Sequence, residues 1–176
     1  MSEIVDWHIE TERTLVRPAV VDDAEALHAS RGQMPFDPQK RTLAQTRRLL
    51  AAMDRRPVRD ASGRQQFAVI ERTSGGFLGD IGVNFDTPRN QQAEIGFAFA
   101  PAARGQGYAT EAVGALVEHL FALGRHRLMA LTDMRNVPTH RLLERLRFRR
   151  EGVYLKSWAE AGDWFDEVGY ARLGSE

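Results

Sequence analysis

The sequence predicts one α/β domain over residues 1–176, with a mixed, mostly antiparallel sheet of about six or seven strands and helices on both faces. A parallel strand–helix–strand crossover lies at its centre. Three observations predict this. Apolar runs at 67–70, 77–83 and 92–99 are separated by turn-forming stretches, the pattern of antiparallel neighbours. A helical pattern from about Tyr108 to Leu123 then joins the third run to another at 126–132, and a connection of that length is a right-handed parallel crossover. Two last runs, 153–158 and 167–172, flank a Gly162-Asp163 turn and form a closing hairpin. A chain of 176 residues can bury roughly 70% of the surface its unfolded form exposes.

Taken in order, Leu15-Val16-Arg17-Pro18 reads as a short strand. Asp22 or Asp23 can cap a helix carrying Ala24, Leu27 and His28. Residues 31–38, with Gly32, Pro35 and Pro38, read as a loop, and Thr42 begins a helix with Leu43, Leu49, Leu50 and Met53 inward. Thr73-Ser74-Gly75-Gly76 turns a hairpin, and Pro88-Arg89-Asn90 makes the next turn. In the crossover helix, Ala109, Ala112, Val113, Leu116, Val117 and Leu120 form one apolar face. Glu111 suits its positive end, and Gly124 fits the C′ position. Residues 138–148 form a last helix, with Leu142, Leu143 and Leu146 inward.

Composition excludes several chemistries. There is no cysteine, so disulfides, thiolate metal sites and a Cys nucleophile are out, and a reducing compartment is favoured. The five histidines show no metal-ligand spacing, so no metal is expected. Met1 to Glu10 is acidic and lacks the apolar stretch of a signal peptide. No apolar run approaches the ~18 residues of a membrane span. The expectation is a cytoplasmic protein without membrane association, either monomer or homodimer. Formal net charge is zero but comes in blocks, −5 over 1–30, +6 over 31–72, −3 over 73–124, +6 over 125–150 and −4 over 151–176. Such blocks suit an anionic ligand on one region. The late arginines carry no set of interleaved stacking aromatics and overall charge is zero, so nucleic acid is not expected as a partner.

The most specific segment is 94–111. A strand ends at Phe99, Pro101 stops it, and Arg104, Gly105 and Gly107 form a turn directly before the helix at Tyr108. Free backbone N–H groups, a helix N-terminus and an Arg at one point make a phosphate or pyrophosphate site. A P-loop is excluded because no Gly-Lys-Ser/Thr follows. A dinucleotide-binding loop competes, which would make the chain an NAD(H)-dependent oxidoreductase. Its third glycine position holds Thr110, however, and Asp133 lies later than the roughly 20 residues that motif needs.

Arg104-Gly105-Gln106-Gly107-Tyr108-Ala109 resembles the acetyl-CoA loop of the GNAT superfamily. Glu94-Ile95-Gly96-Phe97 is similar to that family's fourth strand, and Asn136-x-x-Thr139 before a helix to its Asn-x-x-Ser element. The opening Thr11-Glu12-Arg13-Thr14-Leu15-Val16-Arg17-Pro18 and the ending Gly162-Asp163-Trp164-Phe165-Asp166-Glu167 resemble the Rim-type branch, which acetylates N-terminal residues of ribosomal proteins. The resemblance implies an acetyl-CoA-dependent N-acetyltransferase with a GNAT-like fold. The acceptor it favours is a protein N-terminal amine, attacked directly in a ternary complex. Amino sugars, polyamines and amino acids remain open as acceptors, as does a CoA-binding module without catalysis.

The resemblance also implies roles. Arg104, Gly105, Gln106, Gly107, Tyr108, Ala109 and Thr110 would hold the CoA pyrophosphate. Phe97, Ala98 and Phe99 would splay from the strand at 126–132, so that pantetheine enters like an added strand and an N–H near Phe99 meets the thioester oxygen. Gly96 then marks a bulge or a tight packing contact. Glu94 is the candidate general base, with Asp80 second, although an exposed strand carboxylate needs no such role. Thr139 is the candidate hydrogen-bond donor to the leaving thiolate, or else a helix-start residue. The Tyr that many members carry seven residues after the Asn is Leu143 here. Asn136 would cap the helix or bind pantetheine. Arg141, among Arg145, Arg147, Arg149 and Arg150, would attract CoA phosphates, unless these arginines are a solvated face. The family's Leu-Gly-Phe reads Leu146-Arg147-Phe148, so left-handed backbone is not expected at 147. Met34, Phe36, Trp158, Asp163 and Trp164 would line the acceptor side, where aromatic faces and carboxylates suit a cationic amine.

Overall fold

A computed structural model describes residues 7–36, 40–54, 63–85 and 91–176. Among them, β1 (Ile9–Glu10), β2 (Thr14–Pro18), α1 (Ala24–Gly32), α2 (Leu43–Asp54), β3 (Gly63–Glu71), β4 (Phe77–Phe85) and β5 (Gln92–Phe99) lead to the crossover helix α3 (Tyr108–Ala122). Then follow β6 (Arg127–Asp133), α4 (Val137–Arg145), β7 (Arg149–Glu160) and β8 (Asp163–Leu173). The eight strands form one sheet in the order β1-β2-β3-β4-β5-β6-β8-β7. Every pairing is antiparallel except β5 with β6, the strands that α3 connects. The mixed sheet and its β5-α3-β6 crossover are therefore as expected, and α4 makes a second crossover from β6 over β8 to β7. The eighth strand is the two-residue β1, too short to leave a period in the sequence.

Alternation along β5 assigns the two faces. Ala93, Ile95, Phe97 and Phe99 join the larger core with Val113, Leu116, Val117 and Leu120 of α3 and Leu142 and Leu143 of α4. Each of those large α3 side chains is essentially sealed, and such burial stabilises by roughly 1.5–3 kcal/mol per side chain. On the other face Ala24 and Leu27 of α1 and Leu50 and Met53 of α2 form a smaller cluster with Ala68 of β3. Glu94 and Gly96 of β5 point to this face and stay exposed beyond the end of that cluster.

Caps explain the element ends. Thr42 and Gln45 exchange bonds at the start of α2, Thr42 N–H to Oε1 at 2.8 Å and Gln45 N–H to Oγ1 at 3.2 Å, a capping box. Asp23 precedes α1, but its carboxylate holds the Val20 N–H and Arg17 instead of capping the helix. α1 runs to Gly32, so the loop starts later than residue 31. The expected turn at Pro88-Arg89-Asn90 lies outside the described residues.

α3 and α4 end in the same motif. At α3, Gly124 has φ 83°, its N–H reaches Phe121 O at 2.9 Å and Arg125 N–H reaches Leu120 O at 3.1 Å. At α4, Arg147 takes the glycine's place with φ 64°, Arg147 N–H on Glu144 O and Phe148 N–H on Leu143 O, both at 2.9 Å. The expectation that an Arg would not adopt left-handed backbone at 147 is thus overturned. Phe148 and Leu143 are both buried in the core, and anchoring that pair outweighs the local strain. Left-handed backbone costs a non-glycine residue about 1–2 kcal/mol, against about 0.4–1 kcal/mol for the extra freedom glycine adds to the unfolded chain. Arg147→Gly is expected to raise stability by about 0.5–1 kcal/mol, read as a later urea midpoint with an unchanged slope.

Candidate active site

The site opens where β5 and β6 part. They pair only at Gln92–Arg127, Ala93–Leu128 and Glu94–Met129. Beyond that, β5 stays on β4 as far as Phe99 and β6 stays on β8 as far as Asp133. Ala100 N–H donates to Leu78 O of β4 at 2.9 Å, while the Gln91 carbonyl accepts from His126 across the β6 side. Strand alternation then turns Ala98 N–H toward β4 and the N–H groups of Phe97 and Phe99 toward the gap. Glu94 stands at the vertex, the last paired residue of β5.

At the far end of β5 the chain makes a short 3-10 turn (Pro101–Ala103) and enters the 104–107 loop. Gly105 and Gly107 have φ 74° and 84°, and α3 starts at Tyr108. The first bond of α3 is Glu111 N–H to Gly107 O at 3.1 Å. Among the described residues, the backbone N–H groups of Gly105, Gln106, Gly107, Tyr108, Ala109 and Thr110 have no acceptor in the chain. They converge at the positive end of a 15-residue helix, which is an anion cradle. Arg104 does not point into it. Its Nε donates to Phe99 O at 3.0 Å and its Nη2 lies 3.6 Å from Met34 Sδ, so it ties β5 to the loop after α1. Of the late arginines, Arg145 reaches Thr110 Oγ1 at 3.4 Å, Arg141 is exposed on α4, and Arg149 pairs with Glu151 and Glu176.

A cleft runs from the gap onto the α1/α2 face. Glu94, Phe97, Asn136 and Thr139 line it, with Met34, Phe36 and Trp158 on the outer wall. Its floor is the cross-strand pair Gly82–Gly96. The β4–β5 register is regular there, and a Cβ on Gly96 would meet nothing within 4 Å. Gly96 is thus neither a bulge nor a packing contact but a bare patch of floor. Asp163 and Trp164 sit at the tip of the β7–β8 hairpin, outside the cleft lining, and Trp164 is 58% exposed.

Asn136 caps α4, its Oδ1 accepting Thr139 N–H at 3.4 Å, so the Thr139 hydroxyl is not the cap. Asp80 is fully buried and held by Arg31 and Gln66, which removes it from the list of bases. Arg31 lines the cleft beside it. Asp133 is buried as well. Arg135 wraps it with bonds from its backbone N–H, Nε and Nη2 at 2.7–2.9 Å, and these outweigh burial to hold the Asp133 carboxyl below its usual range. The same guanidinium lies 3.6 Å from the Phe165 ring centroid and 5.0 Å from that of Phe36, and so joins the loop after α1 to β8. Nothing in the sequence marked Arg31 or Arg135, because Arg31 acts through Asp80, 49 residues away, and Arg135 through rings on other elements. His140 bonds Tyr170 Oη and Met134 O, and no group of three metal-ligating residues exists among the described residues.

A splayed parallel pair with a glycine-rich cradle at its open end is the arrangement that the resemblance implied, and residues 13–149 match the acetyltransferase (GNAT) domain family. The chain belongs to the GNAT family. It is an acetyl-CoA-dependent N-acetyltransferase. Over 173 residues it is 28% identical to the uncharacterized N-acetyltransferase YnaD of Bacillus subtilis, covering 96% of this chain and 98% of that one. A GNAT acetyltransferase structure from Bacillus anthracis is 29% identical, with TM-score 0.82 over 96% of this chain and 99% of that one. The ribosomal-protein-S5-alanine acetyltransferase of Vibrio fischeri has the same fold at 21% identity, with TM-score 0.82 over 97% and 98%. In this GNAT enzyme the cradle at 105–110 follows the open end of β5, and the cleft beside Phe97 reaches from Glu94 to Asn136 and Thr139.

Proposed function

We propose that this GNAT enzyme acetylates the N-terminal amine of a protein, by direct attack in a ternary complex with acetyl-CoA. The open Gly96, two residues from Glu94, carries the reading, because a strand residue without a side chain lets a peptide backbone lie close to the sheet with its amine at Glu94. The fold shared with an enzyme named for a ribosomal-protein alanine supports it. In this reading the 105–110 N–H groups and Arg145 hold the CoA phosphates. Glu94 takes a proton from the acceptor ammonium, directly or through water. The Phe97 or Phe99 N–H receives the charge that develops on the thioester oxygen. The Thr139 hydroxyl donates to the departing thiolate, and Asn136 orients α4 for that contact. A cationic small amine is the second reading, favoured by Glu94 and Glu167 beside the Phe36 and Trp158 rings of the cleft.

Thiol release decides between them. Short peptides with a free N-terminus are expected to turn over, while the same peptides N-terminally blocked but carrying an internal Lys are not. Turnover of spermidine or an amino sugar in preference to every peptide would overturn the protein-acceptor reading.

Thr139→Val tests the leaving-group step. Turnover is expected to fall by roughly 10-fold, as for one hydrogen bond made mainly in the transition state, with little change in acetyl-CoA affinity. Thr139→Ser should keep most activity. Because Asn136 is the cap, neither change should lower the melting temperature. A drop in stability with unchanged turnover per folded molecule would return Thr139 to a helix-start role.

A further inference from the structure

The Thr-Glu-Arg-Thr segment at residues 11–14 has no role in the chemistry above, yet its Arg13 reaches the coenzyme loop and its Thr11 the first turn of α3. We infer that Arg13, aided by Thr11 and Glu111, is a positioning residue for CoA, holding the 105–110 loop in the conformation that presents its N–H groups to pyrophosphate. The inference rests on the reading of that loop as the phosphate site.

Four contacts meet on Arg13. Its Nη1 donates to Gln106 O at 3.0 Å. Its Nε donates to Glu111 Oε2 at 2.7 Å, and its Nη2 lies 2.6 Å from the same oxygen. Its guanidinium carbon is 4.6 Å from the centroid of the Tyr108 ring. The other carboxylate oxygen, Oε1, accepts the Arg13 backbone N–H at 2.8 Å and the Thr11 hydroxyl at 2.6 Å. Tyr108 is tied separately, its hydroxyl donating to Glu71 of β3. Partial burial pushes the Glu111 carboxyl up, but the bonds from Thr11 and Arg13 outweigh it and hold the pKa below the usual range. Glu111 is therefore a charged anchor at neutral pH.

The Gln106 contact matters because a trans peptide points its C=O and N–H in opposite directions. Holding the Gln106 carbonyl toward Arg13 aims the Gly107 N–H the other way. Gly105 and Gly107 leave the loop free to flip this peptide, and a flipped carbonyl would repel the phosphate. Arg13 prevents the flip from 93 residues away in sequence. The brace also crowds the loop, since a Cβ on Gly107 would come within 3.3 Å of Arg13 Nη2.

Titration calorimetry with CoA tests the role in the full chain. Arg13→Met is expected to raise the CoA dissociation constant by roughly 10–100-fold, the worth of a charged hydrogen bond that orders the loop. Pantetheine, which lacks the pyrophosphate, should keep its affinity in an NMR titration. Arg13→Lys should recover only part of the loss, because an ammonium cannot span Gln106 and Glu111 as the planar fork does. Glu111→Gln keeps the Gln106 contact and should cost less than Arg13→Met, and it preserves the test if Arg13→Met does not fold. An unchanged CoA constant in folded Arg13→Met or Arg13→Lys overturns the role, as does an equal loss for pantetheine. Failure of the wild-type chain to bind CoA would overturn the loop assignment itself.

Discussion

Glu94→Gln is expected to lower turnover by roughly 10²–10⁴-fold at neutral pH, while the acetyl-CoA dissociation constant stays put. Glutamine keeps the shape of the side chain and removes the base. Glu94 is suited to the task by position, since it ends the β5–β6 ladder, lines the cleft and is exposed. The loss should shrink as pH rises and the amine arrives already deprotonated. Asp80 offers no substitute, being fully buried against Arg31 and Gln66. Near-normal turnover by the variant at neutral pH would move the role to solvent or to Glu167, a second cleft carboxylate, which accepts from Ser157 Oγ at 2.7 Å.

Gly107→Val is expected to abolish stabilisation by acetyl-CoA. A ligand at 100 times its dissociation constant stabilises the native state by about 2.7 kcal/mol, which for a domain of 150–250 residues is a melting shift of roughly 5–11 °C. Wild type should show that shift with acetyl-CoA and none with NAD. In the variant a side chain enters the phosphate approach, and its Cβ also presses on Arg13 Nη2 at 3.3 Å. Valine at φ 84° adds local strain of about 1–2 kcal/mol, so the variant should melt lower but still fold. Gly105→Ala is the comparison, because open space surrounds a Cβ there and only its φ of 74° opposes the change. Retention of the acetyl-CoA shift by Gly107→Val would remove the loop from the coenzyme site.

The local signals in this chain were strong where one segment does a whole job. The 94–111 strand, turn and helix could be read directly, because a strand stop, two glycines and an amphipathic helix are all short-range features. Asn136 as the α4 cap and Gly124 after α3 were legible for the same reason. The misreadings share a cause as well. Arg147 lacks the residue type that favours its backbone, and only the buried Leu143–Phe148 pair on either side forces it into place. Gly96 reads in the sequence as a bulge or a tight contact, since sequence cannot tell which atoms stand opposite a missing Cβ. Asp163 and Trp164 are of the right chemistry for an amine site, but the long hairpin carries them to its tip.

By itself, the sequence determined the mixed sheet with its central parallel crossover and the anion-binding turn, because periodicity, glycine placement and helix ends act over a few residues, and the resemblance of its motifs pointed to the family and the class of reaction. Only the tertiary structure decided where the β5–β6 ladder stops, that Glu94 stands at that vertex, that Asp80 is sealed, and that Arg13 braces a loop 93 residues away. The physical reason is that each of these depends on which strands lie side by side and which side chain meets which partner. Sequence spacing carries no record of a partner that sits on another element.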